Sequence, residues 1–221
     1  TAESQEVRVY QTDYLFYADG TNVYGAPGST RRSNASWITY NPDYFVLPAG
    51  ATANVAYSVT VPADAADTLS GSYWSIIMVE GIEKGSPEST IQPKEDRTQV
   101  GIRTALRFGV QITTNVGGDG NRKISFDNPS LQSADDGSRL LQVDLVNEGT
   151  LAVRPQVWVE LYDEDGNDAG RIDGTSLRLY PGTSVRQRFS FGKELSGRYR
   201  ALVFVDAGDD EVYGAEYTLD L

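Results

Sequence analysis

The sequence predicts an all-β protein built from two copies of one β-sandwich, and three motifs repeated in one order carry that prediction. In the first half Phe45–Gly50 reads F-V-L-P-A-G, and in the second Leu177–Gly182 reads L-R-L-Y-P-G. An alternating segment follows each: Val55, Tyr57, Val59 and Val61, then Val185, Phe189 and Phe191. Next come Leu69-Ser70-Gly71-Ser72-Tyr73 and Leu195-Ser196-Gly197-Arg198-Tyr199, each leading into an apolar run, Ile76–Val79 and Ala201–Val205. Period-two alternation marks a strand with one buried face, and a continuous apolar run marks a strand covered more completely.

Taken in order, Val7 to Tyr14 is a strand with a half-buried row and a tyrosine-bearing row, ended by the turn signal Ala18-Asp19-Gly20. Residues 20–36 are polar and read as a long loop or a loosely paired hairpin. Trp37, Ile38 and Tyr40 resume strand character until Asn41-Pro42, and the segment from Phe45 to Val61 reads as a hairpin around Pro48-Ala49-Gly50. Tyr73 to Val79 is a strand, residues 81–99 are a polar loop, and Val100 to Thr113 is a further strand. On it Val100, Ile102, Leu106 and Phe108 share one face, and Arg103 and Arg107 the other. Asn115–Asn121, N-V-G-G-D-G-N, is the best linker candidate, which places the domains at 1–114 and 115–221.

The second half opens with strands at Asn121–Leu131 and Ser138–Asn147, before Val157 to Tyr162 repeats the Val7 strand together with its acidic, glycine-ended turn. Val185 to Phe191, Tyr199 to Val205 and Val212 to Leu221 complete the set. The expected core of this half is Leu141, Val143, Leu145, Val157, Val159, Leu161, Phe189, Phe191, Leu202 and Phe204. The copies are unequal: two strands precede Val157, and only Thr1–Glu6 precede Val7. The expectation is a first sandwich without its first two strands, in which Val9, Val59, Val61, Ile77 and Val79 lack part of their cover. Strands from elsewhere would fill that slot, or the chain is a fragment of a longer protein.

Composition narrows the function. With 39% apolar residues the chain can bury a core. It contains no stretch long and apolar enough to span a membrane as a helix. A formal net charge of −12 argues against nucleic acid and anionic membrane as main partners, since both select cationic surfaces. The absence of cysteine and histidine removes disulfides and the usual zinc ligands, so no cofactor or metal is expected. It also removes the usual general base of a serine hydrolase. Paired carboxylates could support glycoside hydrolysis, but the acidic residues cluster at hairpin tips, where they are solvated, and the chain reads as a non-enzyme. Asp163, Asp165, Asn167 and Asp168 depart from a calcium loop, with Asp168 where glycine and Gly174 where glutamate belong. Tyr10, Tyr14, Tyr17, Tyr24 and Tyr40 allow an aromatic platform for sugar, although tyrosine also favours any half-wet strand face.

Two sandwiches in tandem, with W-I-x-x-x-P-x-x-F-x-L-P-A-G from Trp37 to Gly50, then V-P and L-S-G-x-Y, resemble the PapD-like periplasmic pilus chaperones and related bacterial cell-surface proteins. The resemblance covers Val7–Thr113 best and implies two tandem immunoglobulin-like domains. It also implies an exported protein of the periplasm or cell surface. In those chaperones two basic residues grip the C-terminal carboxylate of a subunit. Arg107, in R-T-A-L-R-F, matches the one on the last strand of the first domain, and the strand carrying the other is not found here. The same strand lends alternating apolar residues to the subunit, so the partner-binding candidates are Arg107, Arg103, Val100, Ile102 and Leu106. The function implied is protein–protein contact or assembly of a surface or pilus-type structure by β-strand complementation. The alternatives are a periplasmic chaperone, a glycan- or peptidoglycan-binding module and, in another class, a carbohydrate-active enzyme.

Overall fold

The computed structural model of the protein describes residues 3–63, 68–83, 86–90, 106–134 and 137–221. The chain falls into two compact units. The first comprises Thr1–Tyr14, Val23–Thr68 and Tyr73–Thr114, and the second Leu15–Asn22, Leu69–Ser72 and Asn115–Leu221.

The second unit is a complete sandwich. Its strands are β8 (Ile124–Ser133), β9 (Arg139–Asn147), β10 (Gln156–Tyr162), β11 (Asp168–Asp173), β12 (Ser184–Phe191), β13 (Arg198–Asp206) and β14 (Val212–Asp220). A four-stranded sheet in the order β11-β10-β13-β14 faces a three-stranded sheet in the order β12-β9-β8, every pair antiparallel. This is the four-on-three layout of an immunoglobulin-like domain. Alternation decides the core: Leu141, Val143 and Leu145 of β9 meet Val157, Val159 and Leu161 of β10, with Phe189 and Phe191 of β12 between them. Gln187 is the one polar residue on that inner row of β12. It is buried, and its side chain exchanges two hydrogen bonds with the main chain of Thr175.

Strand β13 corrects the expected core. Ala201, Val203 and Val205 face inward and are fully buried, while Leu202 and Phe204 lie half-buried on the outer face. There Phe204 stacks on Trp158 with ring centroids 5.3 Å apart. Register explains the difference: Val203 pairs with Val159 and Phe204 with Trp158, and directly paired residues share a face.

The first unit has β1 (Gln5–Phe16), β2 (Asn22–Gly25), a 3₁₀ turn (Ala35–Trp37), β3 (Ile38–Asn41), β4 (Tyr44–Leu47), β5 (Ala56–Val59), β6 (Gly71–Ile82) and β7 (Arg107–Val116). One sheet runs β2-β1-β6-β7, with β4 also paired to β1, and the other is the two-stranded β3-β5. The Phe45–Val61 segment is therefore not a hairpin. Its two strands join different sheets, Phe45 pairing with Val7 and Val59 with Ile38. Strand β7 also runs into the expected linker, and Val116 is buried.

Among the described residues the core of the first unit is small. Val9, Ile38, Ile77 and Ile112 are buried, with Tyr40, Phe45, Val55, Val59 and Val79 only partly so around them. Val9 and Ile77 are thus covered, contrary to expectation, and Val59, Val61 and Val79 are half-covered.

The repeated turns match. Gly50 and Gly182 both have positive φ, at 71° and 78°, closing the P-A-G and P-G turns. Gly71 and Gly197 also have positive φ, 91° and 107°, at the start of β6 and just before β13. They differ in surroundings. A Cβ on Gly71 would lie 2.3 Å from the Thr150 carbonyl oxygen, whereas one on Gly197 meets nothing within 4 Å. Gly197→Ala is expected to cost on the order of 1–3 kcal/mol from backbone strain alone. Gly71→Ala should lower the melting temperature further, and equal shifts would show that the Thr150 contact yields freely. In the core, Phe189→Ala is expected to cost about 3–5 kcal/mol in chemical denaturation. Leu202→Ala, on the outer face, should cost far less, and the reverse order would restore the other register for β13.

Candidate functional site

Among the described residues strand β7 is the edge of its sheet, and alternation sends its side chains to two different surfaces. Leu106, just before the strand, then Phe108, Val110 and Ile112 form one row. Ile112 reaches the core, but Leu106, Phe108 and Val110 are 61%, 59% and 52% exposed. The reason lies in the opposite layer. In the second unit β8 extends its sheet far enough to pack against β14. In the first unit the opposite sheet stops at β5 among the described residues.

The free side of β5 borders the same opening. The Thr60 amide donates to the Trp37 carbonyl at 2.8 Å, so the main-chain groups of Ala56 and Ser58 also point toward β3. Those of Tyr57 and Val59 point to the other edge, where no described strand lies. Tyr57 itself is 53% exposed. Of the sequence candidates, Leu106 lies on this opening, and Val100, Ile102 and Arg103 lie outside the described residues.

Arg107 belongs to the opposite face of β7, with Gly109 and Gln111. Its Nε donates to Glu80 Oε1 at 2.5 Å, and Arg8 Nε donates to Glu80 Oε2 at 2.8 Å. The register that pairs Arg8 with Glu80 across β1 and β6 builds this triad. Burial alone would push the Glu80 carboxyl up, but the two guanidiniums outweigh it and hold the group below the ordinary carboxylate range. Sequence reasoning singled out Arg107 and missed Arg8 and Glu80. The signal was the even spacing of Arg8 with Tyr10, Thr12 and Tyr14 on one row.

Above the triad the outer sheet face forms a cleft of about 490 Å³, between Tyr10, Thr12, Tyr14 and Tyr24 on one side and Arg107 and Gln111 on the other, over Ile76 and Met78. Three of the five tyrosines named from the sequence meet here, and the rings of Tyr14 and Tyr24 lie 4.9 Å apart. Tyr40 packs on the opposite side of the sheet, against the core, and Tyr17 lies beyond β1 in the turn to β2. The acidic turn of the second unit has a local structural role. Asp163 accepts from the amides of Asp165 and Asn167 and from the Asn167 side chain, which is how an aspartate stabilises a tight turn. No cluster of three or more potential metal ligands is found among the described residues.

Glu6 ties the segment after β6 to the sheet. Its buried carboxylate accepts from the Tyr44 hydroxyl at 2.5 Å, the Thr90 amide at 2.9 Å, the Thr90 hydroxyl and the Ser89 hydroxyl.

No protein-family profile matches the chain, and no curated protein matches it. Among solved structures, a chaperone–tip adhesin complex of CFA/I fimbriae biogenesis is similar over 99% of this chain and 86% of that chain, at a TM-score of 0.47 and 10% identity. The class 5 fimbriae chaperone CfaA is similar over 100% of this chain and 89% of that one, at 0.45 and 9%. The E. coli chaperone DraB is similar over 100% and 86%, at 0.38 and 11%.

Hydrogen bonds from Ser89, Thr90 and Tyr44 lower the Glu6 pKa from 4.5 to about 2. A carboxylate depressed on folding adds stability above its unfolded pKa, and that stability is lost as pH falls through the folded value. Stability should therefore drop between about pH 4.5 and 2. Glu6→Gln should be less stable than wild type at pH 7 and lose less on acidification. Denaturation curves at pH 7 and pH 3 test this, and parallel losses in the two proteins would remove Glu6 as the cause.

Proposed function

We propose that the protein is a non-enzymatic, exported component of a surface or pilus-type assembly and acts by β-strand complementation. One observation carries this reading: the edge strand β7 exposes a row of large apolar side chains, Leu106, Phe108 and Val110, on the side where its sheet should be covered. Exposed apolar edges are rare in proteins that work alone, because they capture strands from other chains. A partner strand entering this opening finds both things such binding requires. The outward main-chain groups of Tyr57 and Val59 supply backbone pairing, and the β7 row supplies side-chain pockets that set register.

Leu106 is thus a direct contact. Arg107, 57% exposed on the other face of the same strand, flanks a partner strand added along the β7 edge. A chaperone that presents this strand to a subunit is one form of the same mechanism, and the PapD-like motif from Trp37 to Gly50 supports it. No catalytic step is assigned to a chain without histidine or cysteine. Among the described residues no helix is long and apolar enough to cross a membrane.

The test places a photoreactive amino acid at Phe108 and, as a control, at the exposed Leu177 of the second unit, in cells that make the protein. The expected result is a protein adduct from position 108 alone, mapping to a partner segment of alternating apolar residues. The adduct should disappear when Val110→Glu is added. Adducts equal at both positions, or none at 108, would overturn the reading.

A further inference from the structure

The outer face of the same sheet carries a second feature that strand complementation does not use. We propose that the tyrosine-walled cleft over Ile76 and Met78 binds an acidic saccharide, a sugar ring bearing a carboxylate. The inference goes beyond the proposed assembly role and stands on a different face of β7.

The shape of the cleft follows from one residue. Gly109 sits between Arg107 and Gln111 in the row of β7 that faces outward. A Cβ there would lie 3.0 Å from Ile76 Cγ2 and 3.2 Å from Met78 Sδ. Glycine weakens an edge strand, and its presence inside one marks a close approach or a space kept open. Here it leaves a notch over an apolar floor, and the resulting volume of about 490 Å³ lies within the range of small-molecule sites.

The chemistry of the walls selects the ligand. The floor is apolar, and three tyrosines line one wall. A sugar ring offers an apolar C–H face to such rings and hydroxyls to their phenol edges. A purely apolar ligand would take water from the exposed part of the Arg107 guanidinium and offer nothing in return, which is costly. Charge then separates acidic from neutral sugars. At this end of the cleft Arg8 and Arg107 both donate to the carboxylate of Glu80. Arg107 keeps 57% of its side chain exposed beside the floor. A ligand carboxylate set against its guanidinium gains a charge-assisted contact in a chain whose net charge is otherwise −12.

Met78 is the chain's only methionine, so its methyl group is a built-in reporter on the floor of the cleft. The experiment titrates the full chain, labelled with ¹³C-methyl methionine, with a uronic-acid disaccharide and separately with its neutral counterpart. The expected result is one saturable shift of the Met78 signal with the acidic sugar, and binding of the neutral sugar weaker by about tenfold or more, the worth of one charge-assisted hydrogen bond. Tyr24→Ala, which alters a side chain 60% exposed and so spares the fold, should weaken the acidic sugar. Arg107→Gln should erase the preference for acid over neutral. No saturable shift, equal affinity for both sugars, or an undiminished affinity in Tyr24→Ala would each overturn the proposal. Val110→Glu should leave sugar binding unchanged while abolishing the partner adduct, so the two proposals fail independently.

Discussion

Every sheet in this protein is constrained by its second layer. A strand can be hydrogen-bonded on both sides and still leave an apolar face in water unless another sheet lies across it. The second unit meets that demand. Its three-stranded layer is wide enough for β8 to reach β14, and the inner rows of β9, β10, β12 and β13 are buried almost without remainder. In the first unit the layer opposite β2-β1-β6-β7 is two strands wide among the described residues. Cover runs out partway along β7, so Ile112 is buried while Val110, Phe108 and Leu106 are exposed. The small core, the free side of β5 and the apolar row of β7 are three consequences of one shortfall in width.

Charge is handled by the same economy of partners. With 31 acidic residues against 19 basic ones, carboxylates outnumber the cations that could pair with them. Many sit in turns and accept main-chain amides instead, as Asp19, Asp163, Asp168 and Asp206 do. The buried carboxylates divide into two kinds. Glu6 and Asp13 are solvated by hydroxyl and amide donors, Asp13 by Ser33 at 2.6 Å and the Thr30 amide at 2.7 Å. Glu80 and Asp144 are paired with arginine, and Arg186 grips Asp144 through two nitrogens at 2.7 and 2.9 Å. A buried ion pair adds little net stability but is costly to break, so these pairs fix register more than they strengthen the fold. In the first unit that fixed register aligns Arg8, Glu80 and Arg107 at the end of the cleft.

Much of this was legible in the sequence, and what was not has physical causes. Alternation in β9, β10 and β12 has a single answer, and the residues expected inside are inside. The run Ala201–Val205 has no alternation, so it carries no parity. Reading the larger residues Leu202 and Phe204 as core ignored that they pair with Glu160 and Trp158, which face out. The Phe45–Val61 hairpin failed for a different reason. A Pro/Gly turn fixes where the chain reverses, but Phe45 and Val59 found partners in β1 and β3, nearly forty and twenty residues away in sequence. At the candidate site, the alternation that sets Leu106 and Phe108 against Arg107 was readable, because it is local. That Glu80 would meet Arg107 was not, because cross-strand neighbours depend on a register that no local pattern states.

The period of two also explains how one edge strand carries two proposed roles. Residues of even number from Leu106 to Ile112 face the opening, and Arg107, Gly109 and Gln111 face the cleft. A substitution on one row leaves the other row's surface in place, so the two contacts do not compete for the same atoms. Gly109 is where the two demands meet. An edge strand built only to pair with a partner would gain from a β-branched residue there, since glycine costs conformational entropy and contributes no packing. A side chain at that position would instead press on Ile76 and Met78 and close the floor of the cleft. A glycine between Phe108 and Val110 therefore keeps the outer floor open while the side chains on either side of it face the opening.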